Sequence, residues 1–131
     1  MNVNAGDEYR YDDHIEVRFD EFNAAFKFET YLWDGELAVV LTGIGDDERI
    51  ASCICYPKEG YIESFMVEEK YRNQGLGELL LSHVIKEYGV NSLMVAVSNI
   101  PAIALYQKLG FQWTSLEVNE GGEIYRKMVL S

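Results

Sequence analysis

The amino-acid sequence predicts a single mixed α/β domain, spanning residues 1–131, in which helices cover a central sheet. Three observations predict this fold class. The first half of the chain alternates apolar and polar residues with the period of a β-strand, and turn residues interrupt the alternation. The second half contains two runs with helical spacing, each followed by a strand-like segment. The length of 131 residues suits one domain with one core.

Five strands are expected in the first half. Ile15, Val17 and Phe19 alternate with charged residues, which is typical of a half-buried strand. The Asp-Gly pair at positions 34–35 predicts a tight hairpin, since both residues tolerate positive φ. The spacing within Phe22–Leu32 also fits a short amphipathic helix, so two structures are open there. The other predicted strands are Phe26–Trp33, Glu36–Leu41, Ile50–Tyr56 and Tyr61–Val67.

Two helices and three strands are expected in the second half. Glu78–Tyr88 has apolar residues at helical spacing. A second helix is capped by Ser98 or Asn99 and runs to Leu109. Because a strand–helix–strand crossover joins parallel strands, the strands on either side of the first helix should pair in parallel. The remaining strands are predicted at Leu93–Val97, Phe111–Val118 and Glu123–Leu130.

The charge and composition limit the partners. The net charge of −11 repels nucleic acid and anionic lipid, which argues against both as partners. The same charge attracts a cationic amine, or it serves solubility alone. No apolar run reaches the roughly 20 residues of a membrane span, and the polar N-terminus is unlike a signal peptide, which predicts a cytoplasmic protein. Cys53 and Cys55 are interpreted as reduced strand residues, with no metal site.

A glycine-rich segment joins the fifth strand to the first helix. Gly75 and Gly77 have no side chains, so backbone N–H groups there can approach a ligand closely. The first turn of a helix carries unpaired N–H groups and a partial positive charge, which together suit a pyrophosphate. A tight strand–helix connection without a ligand is the alternative. The segment consists of Arg72, Asn73, Gln74, Gly75, Leu76 and Gly77.

Two motifs resemble one enzyme family. The segment Val67–Gly77 resembles the acetyl-CoA signature of the GNAT superfamily of N-acetyltransferases, Arg/Gln-x-x-Gly-x-Gly/Ala. The segment Asn99–Phe111 is similar to the second conserved block of that family. The resemblance implies a mixed sheet with a splayed parallel strand pair. It also implies transfer of an acetyl group from acetyl-CoA directly to a primary amine of a small molecule or protein.

The resemblance also implies a set of donor-binding residues. The backbone of Phe65, Met66 and Val67 would pair with the pantetheine arm, and the pyrophosphate would rest on residues 72–77. Asn99 would hydrogen-bond the pantetheine, cap the second helix, or do both. Lys108 would reach the phosphates of the nucleotide, or it is a solvated helix residue.

Two residues are expected to move protons. Tyr106 matches the general acid that would protonate the departing thiolate, with aromatic packing against Phe111 as the alternative. Glu63 is the candidate base for the attacking amine, unless its side chain faces solvent. His14 and His83 are weaker candidates, because neither is placed near the expected acceptor side.

The N-terminal region departs from the family pattern. The resemblance implies one or two helices after the first strand, whereas this chain reads there as strands rich in aromatic residues. This departure favours an unusual acceptor site or a surface for a partner. Two other functions are therefore considered: a non-catalytic GNAT-like module that binds acetyl-CoA or a protein, and an acidic protein that mimics nucleic acid. The last hairpin offers exposed strands through which a homodimer can form.

Overall fold

The computed structural model describes residues 9–15 and 26–130. Within these residues the chain forms two α-helices and eight strands, in the order that a mixed α/β domain predicts. The helices are α1 (Leu76–Tyr88) and α2 (Ile100–Lys108). The strands are β1 (Tyr9–Ile15), β2 (Phe26–Trp33), β3 (Glu36–Gly43), β4 (Arg49–Tyr56), β5 (Tyr61–Val67), β6 (Ser92–Ala96), β7 (Phe111–Glu120) and β8 (Glu123–Leu130).

The strands form one mixed sheet with the order β1-β2-β3-β4-β5-β6-β8-β7. β1 to β5 are an antiparallel meander, and β8 pairs antiparallel with both β6 and β7. β5 and β6 are parallel and are joined through α1, which confirms the predicted crossover. The sheet therefore changes from antiparallel to parallel at β5.

Strand β5 contains a β-bulge. Two of its residues, Ser64 and Phe65, lie opposite the single residue Cys53 of β4, and Ser64 has a φ of 54°. The extra residue shifts the alternation of side chains by one position beyond the bulge. Ile62 and Phe65 consequently point to the same face of the sheet, although they are three residues apart. We call this side, which α1 covers, the α1 face.

The hydrophobic core lies between α1 and the α1 face of β2 to β6. Leu80, Leu81 and Val84 of α1 are fully buried against that face. His83 is also buried, with its ring stacked on Phe28 at 3.7 Å between centroids. His83 is thus a core residue, consistent with its low rank as a catalytic candidate. Gly89, with a φ of 66°, ends α1 in the left-handed conformation.

The element boundaries differ from the expectations at a few places. The segment Phe26–Trp33 is a strand and not a helix, whereas residues 16–25, which include Val17 and Phe19 of the predicted first strand, lie outside the described residues. Helix α1 begins at Leu76, two residues earlier than predicted, because Gly75 adopts a left-handed conformation and serves as its N-cap. Cys53 and Cys55 are buried strand residues with free thiols, as expected.

The last hairpin is tighter than predicted. β7 extends to Glu120 and β8 begins at Glu123, so two glycines make the turn in place of four residues. Gly121 and Gly122 have φ values of 61° and 87°, which suit the two-residue turns that match strand twist. Among the described residues, no helix is long and apolar enough to span a membrane.

Candidate functional site

The parallel pair β5 and β6 splays apart and leaves a slot in the sheet. The two strands pair only at Tyr61–Ser92 and Ile62–Leu93, and their remaining residues are not paired with each other. A cavity of about 240 Å³ lies in the gap, between the last residues of both strands and the start of α2. Backbone groups on the facing edges of β5 and β6 are therefore available to a ligand that lies between the strands.

Side chains from both faces of the sheet line the slot. Ile62, Phe65 and Leu93 line it from the α1 face, where Tyr106 of α2 also enters. Glu63 and Tyr125 line it from the other face, which we call the open face because no described helix packs on it. Phe65 and Tyr106 are in edge contact, with ring centroids 6.0 Å apart. A reacting group in the slot would thus meet a tyrosine from one side and a carboxylate from the other.

The two glycines at the N-terminus of α1, the N-cap Gly75 and the helical Gly77, have different roles. Gly75 has a φ of 78°, and a Cβ placed on it would meet nothing within 4 Å, so the space beside its backbone is open. A Cβ on Gly77 would lie 3.1 Å from Val67 Cγ2 and 3.4 Å from Leu105 Cδ2. Gly77 therefore permits close packing of α1 on β5 and α2, whereas Gly75 leaves room for an anion at the helix N-terminus.

Polar side chains of the turn hold its own backbone. Arg72 donates from Nε to the carbonyl of Val67 at 3.0 Å, and Gln74 donates from Nε2 to the carbonyl of Lys70 at 3.2 Å. The β3–β4 connection supports the turn from outside, because Glu48 accepts a hydrogen bond from the Tyr71 hydroxyl at 2.8 Å. These contacts fix the turn before any ligand arrives.

Asn99 and Lys108 occupy opposite ends of α2. Asn99 Oδ1 accepts a hydrogen bond from the backbone N–H of Ala102 at 3.3 Å, so the residue is the N-cap, and it also lines the slot. The cap uses the oxygen and leaves the amide group as a donor. Lys108 is exposed and forms an ion pair of 3.2 Å with Glu78 in the first turn of α1. Its ammonium group therefore lies beside the glycine turn.

Tyr106 is buried with its ring between two aromatic neighbours. Its ring makes edge contacts with Phe65 and Phe111, both at 6.0 Å between centroids. Burial raises the pKa of the Tyr106 hydroxyl to about 12, with a smaller contribution from the nearby Cys53. The hydroxyl therefore stays protonated at neutral pH and can donate a hydrogen bond or a proton. Packing against Phe111 and a role in the slot are both compatible with this position.

Glu63 is held by a tyrosine that the sequence did not single out. The Tyr56 hydroxyl donates to Glu63 Oε1 at 2.5 Å and lies 3.0 Å from Glu36 Oε1. The two carboxylates, Glu63 foremost, raise the pKa of Tyr56 above its ordinary value, so it remains a donor. A hydroxyl has one proton to donate, and the shorter distance indicates that the Tyr56 hydroxyl donates its hydrogen bond to Glu63. Among the residues that line the slot, Glu63 carries the only carboxylate.

A second, shallower groove of about 440 Å³ adjoins the slot on the open face. It is lined by Tyr56, Glu59, Tyr61, Glu63 and Ser92, and by Lys127 of β8. Tyr56 and Tyr61 lie side by side, with ring centroids 6.0 Å apart. Glu63 belongs to both the groove and the slot, so it is the residue through which the two cavities communicate.

Most residues predicted for the site lie around the slot or at its end. Glu63, Phe65, Asn99 and Tyr106 line the slot, and residues 72–77 form the turn at the N-terminus of α1. Val67 contacts the position of Gly77 from the end of β5, and Met66 points outward with 43% exposure. The residues that sequence reasoning missed are Tyr56, Glu36 and Lys127. Their positions on one face of neighbouring strands carried a signal, but only the strand register identifies them as neighbours.

Comparison with known proteins gives a consistent result. The model of the acetyltransferase (GNAT) family matches residues 6–111. The ribosomal-protein-S18-alanine N-acetyltransferase of Escherichia coli K12 is 35% identical over 112 residues, covering 81% of this chain and 76% of the relative. A crystal structure of the Escherichia coli enzyme superposes with a TM-score of 0.63 at 32% identity, over 76% of this chain and 70% of that one. The spermine/spermidine N(1)-acetyltransferase of Bacillus subtilis 168 is 32% identical over 69 residues, covering 48% of this chain and 45% of the relative.

Proposed function

This chain belongs to the GNAT family and is an N-acetyltransferase, and from that premise we propose that it uses the slot between β5 and β6 to acetylate a primary amine. The observation that carries the proposal is the slot itself, which side chains of both faces line, with Tyr106 on one side and Glu63 on the other. The donor is proposed to be acetyl-CoA, which the GNAT family uses.

The residues present fit acetyl-CoA. The unpaired edges of β5 and β6, at Phe65, Met66 and Val67, suit the amide groups of a pantetheine arm. The open space at Gly75 and the N-terminus of α1 suit a pyrophosphate, together with the other residues of the 72–77 turn. Asn99 retains its amide N–H groups for the arm, and Lys108 has its ammonium beside the turn. The bound donor would supply a thioester whose acyl carbon accepts the amine.

Two side chains would manage the protons. Glu63 would take the proton of the attacking amine, directly or through a water molecule, as the new N–C bond forms. Tyr106 would donate a hydrogen bond and then its proton to the sulfur as the C–S bond breaks. The acid and the base belong to opposite faces of the sheet, so the amine would enter from the open face, while the helices shield Tyr106.

The acceptor is proposed to be a primary amine bound in the groove on the open face. Its two carboxylates, Glu59 and Glu63, and its two tyrosine rings offer negative charge and π-faces to a protonated amine before it is deprotonated. The relatives act, by their names, on an alanine of a ribosomal protein and on spermine and spermidine. A cytoplasmic location stays a prediction.

A homodimer through the last hairpin is a further proposal. β7 is an edge strand of the sheet, and it exposes Trp113 (36%), Leu116 (53%) and Val118 (46%). An edge strand with apolar side chains is able to pair with a second copy. Light scattering would detect twice the monomer mass of 15.0 kDa, and Leu116→Lys should reduce it to the monomer mass.

The proposed function is tested by thiol release from acetyl-CoA with a panel of amines. We expect release that depends on an amine, a loss of about 10²-fold in kcat for Glu63→Gln, and calorimetric binding of acetyl-CoA that this variant leaves unchanged. Binding of acetyl-CoA without turnover of any amine would support the non-catalytic alternative. A Glu63→Gln variant with full activity would exclude Glu63 as the base.

A further inference from the structure

Lys127 is an unusual cation in this protein. The chain has 22 acidic and 11 basic residues, and most described basic side chains have a carboxylate within ion-pair distance. Lys58, Arg72 and Lys86 lack such a partner but are exposed. Lys127 is half-buried, and no described carboxylate lies within 4.0 Å of its ammonium group. A partly desolvated ammonium without a counter-charge stays available to an oxygen of a ligand.

The strand register places Lys127 in line with the proposed base. Ile62 of β5 pairs with Leu93 of β6, so the next residues of these parallel strands, Glu63 and Met94, lie at the same level. Met94 in turn pairs with Lys127 of β8. Glu63, Met94 and Lys127 therefore form one row across three strands on the open face. At a strand spacing of about 4.8 Å, the backbones of β5 and β8 are about 10 Å apart, and the splay adds to this.

The groove thus has the carboxylate of Glu63 at the slot and the ammonium group of Lys127 across from it, with the exposed carboxylate of Glu59 also in its lining. Lys127 is on the open face, whereas α1 and its glycine turn lie on the α1 face, so Lys127 is not part of the phosphate site. A ligand that fits both ends carries an amine and, a few ångströms away, a carboxylate or carbonyl oxygen. The α-amine of an amino acid or of a peptide has this arrangement. A polyamine would instead bring a second positive charge next to Lys127.

We propose that Lys127 determines acceptor specificity, by binding the oxygen next to the α-amine of an amino acid or peptide and by repelling polyamines. This inference rests on the proposed function. Lys127 would donate from its ammonium group to that oxygen and thereby aim the amine at Glu63 and the slot. It takes no part in the proton transfers, so its contribution lies in the KM for the acceptor.

The test compares three acceptors: a free amino acid, a tripeptide amide with a free α-amine, and spermidine. The wild type should have a higher kcat/KM for one of the two α-amines than for spermidine. Comparison of kcat/KM for the amino acid and for the tripeptide amide shows whether Lys127 binds a carboxylate or a carbonyl oxygen. Lys127→Met should raise the KM for the preferred α-amine about tenfold or more, since a hydrogen bond from a charged donor is lost, with the KM for acetyl-CoA unchanged. Lys127→Glu should raise kcat/KM for spermidine.

Lys86→Met is the matched control, because it removes the same charge from an exposed position on α1. Thermal unfolding of each variant identifies any that fails to fold. Preference of the wild type for spermidine, or an unchanged acceptor KM in folded Lys127→Met, would overturn the inference about Lys127 while leaving acetyl transfer intact. Failure of every amine with the wild type would instead refute the proposed function.

Discussion

Replacement of Tyr106 by phenylalanine separates the chemistry of its hydroxyl from the packing of its ring. The ring contacts with Phe65 and Phe111 are kept, so the free energy of unfolding at pH 7 should change little. If the hydroxyl is the general acid, kcat should fall about 10²-fold, and the KM values for both substrates should stay close to those of the wild type. Steady-state thiol release measures this.

The same variant tests the burial of the hydroxyl through the pH dependence of stability. Burial raises the pKa of Tyr106 from its ordinary value of 10.0 to about 12. Because the pKa of Tyr106 is higher in the folded than in the unfolded protein, the contribution of its protonated hydroxyl to the free energy of unfolding is fully present below pH 10. That contribution is lost as the pH rises through about 12. At pH 11 the unfolded tyrosine is ionised about ten to one while Tyr106 remains mostly protonated, which costs about 1.4 kcal/mol relative to pH 8.

Urea unfolding at pH 8 and pH 11 should therefore show a loss of stability that is about 1.4 kcal/mol smaller in Tyr106→Phe than in the wild type. Tyr88→Phe is the control, since Tyr88 lies at the end of α1, away from the slot. An equal loss in Tyr106→Phe and wild type would refute the buried position of the hydroxyl. Full kcat in a folded Tyr106→Phe would refute the acid.

Three further predictions follow from single contacts. Tyr56→Phe should lower kcat about tenfold but have no further effect in Glu63→Gln, because Tyr56 acts through Glu63; additive losses in a double-mutant cycle would contradict this. Gly75→Ala should destabilise the protein by about 1–2 kcal/mol in urea unfolding and weaken calorimetric binding of acetyl-CoA, since alanine disfavours a φ of 78°. Lys108→Met should raise the KM for acetyl-CoA two- to threefold in initial-rate measurements, because a contact with a phosphate is lost. An unchanged KM would mean that Lys108 only forms the ion pair with Glu78.

The donor half of the site could be predicted from the sequence because it depends on local chemistry. A helix N-terminus after two glycines is an anion site whatever surrounds it, and an asparagine at the start of α2 is a cap by its residue type. Both features are specified within a few residues. The crossover between β5 and β6 was likewise fixed by the handedness and order of a strand–helix–strand unit.

Apart from Glu63, the residues of the acceptor groove could not be predicted, because their meeting depends on strand register. Tyr56 meets Glu63 only because β4 and β5 pair with a particular offset, and Lys127 faces the same groove only because β8, the last strand, inserts next to β6. A shift of one residue in either pairing would move these side chains to the α1 face. Nothing in the separate strand patterns fixes that offset.

The bulge at Ser64 explains why one slot can serve both faces. If the same sequence formed a regular strand without the bulge, Phe65 would share the open face with Glu63, and the edge contact between Phe65 and Tyr106 would be lost. With it, the apolar residues of β5 stay under the helices, while Glu63, immediately before the bulge, keeps its place beside Tyr56. Deletion of Ser64 would leave Glu63 opposite Ile54 and Phe65 opposite Cys53, so it would keep both side chains on their faces and remove only the local bend and twist of the bulge.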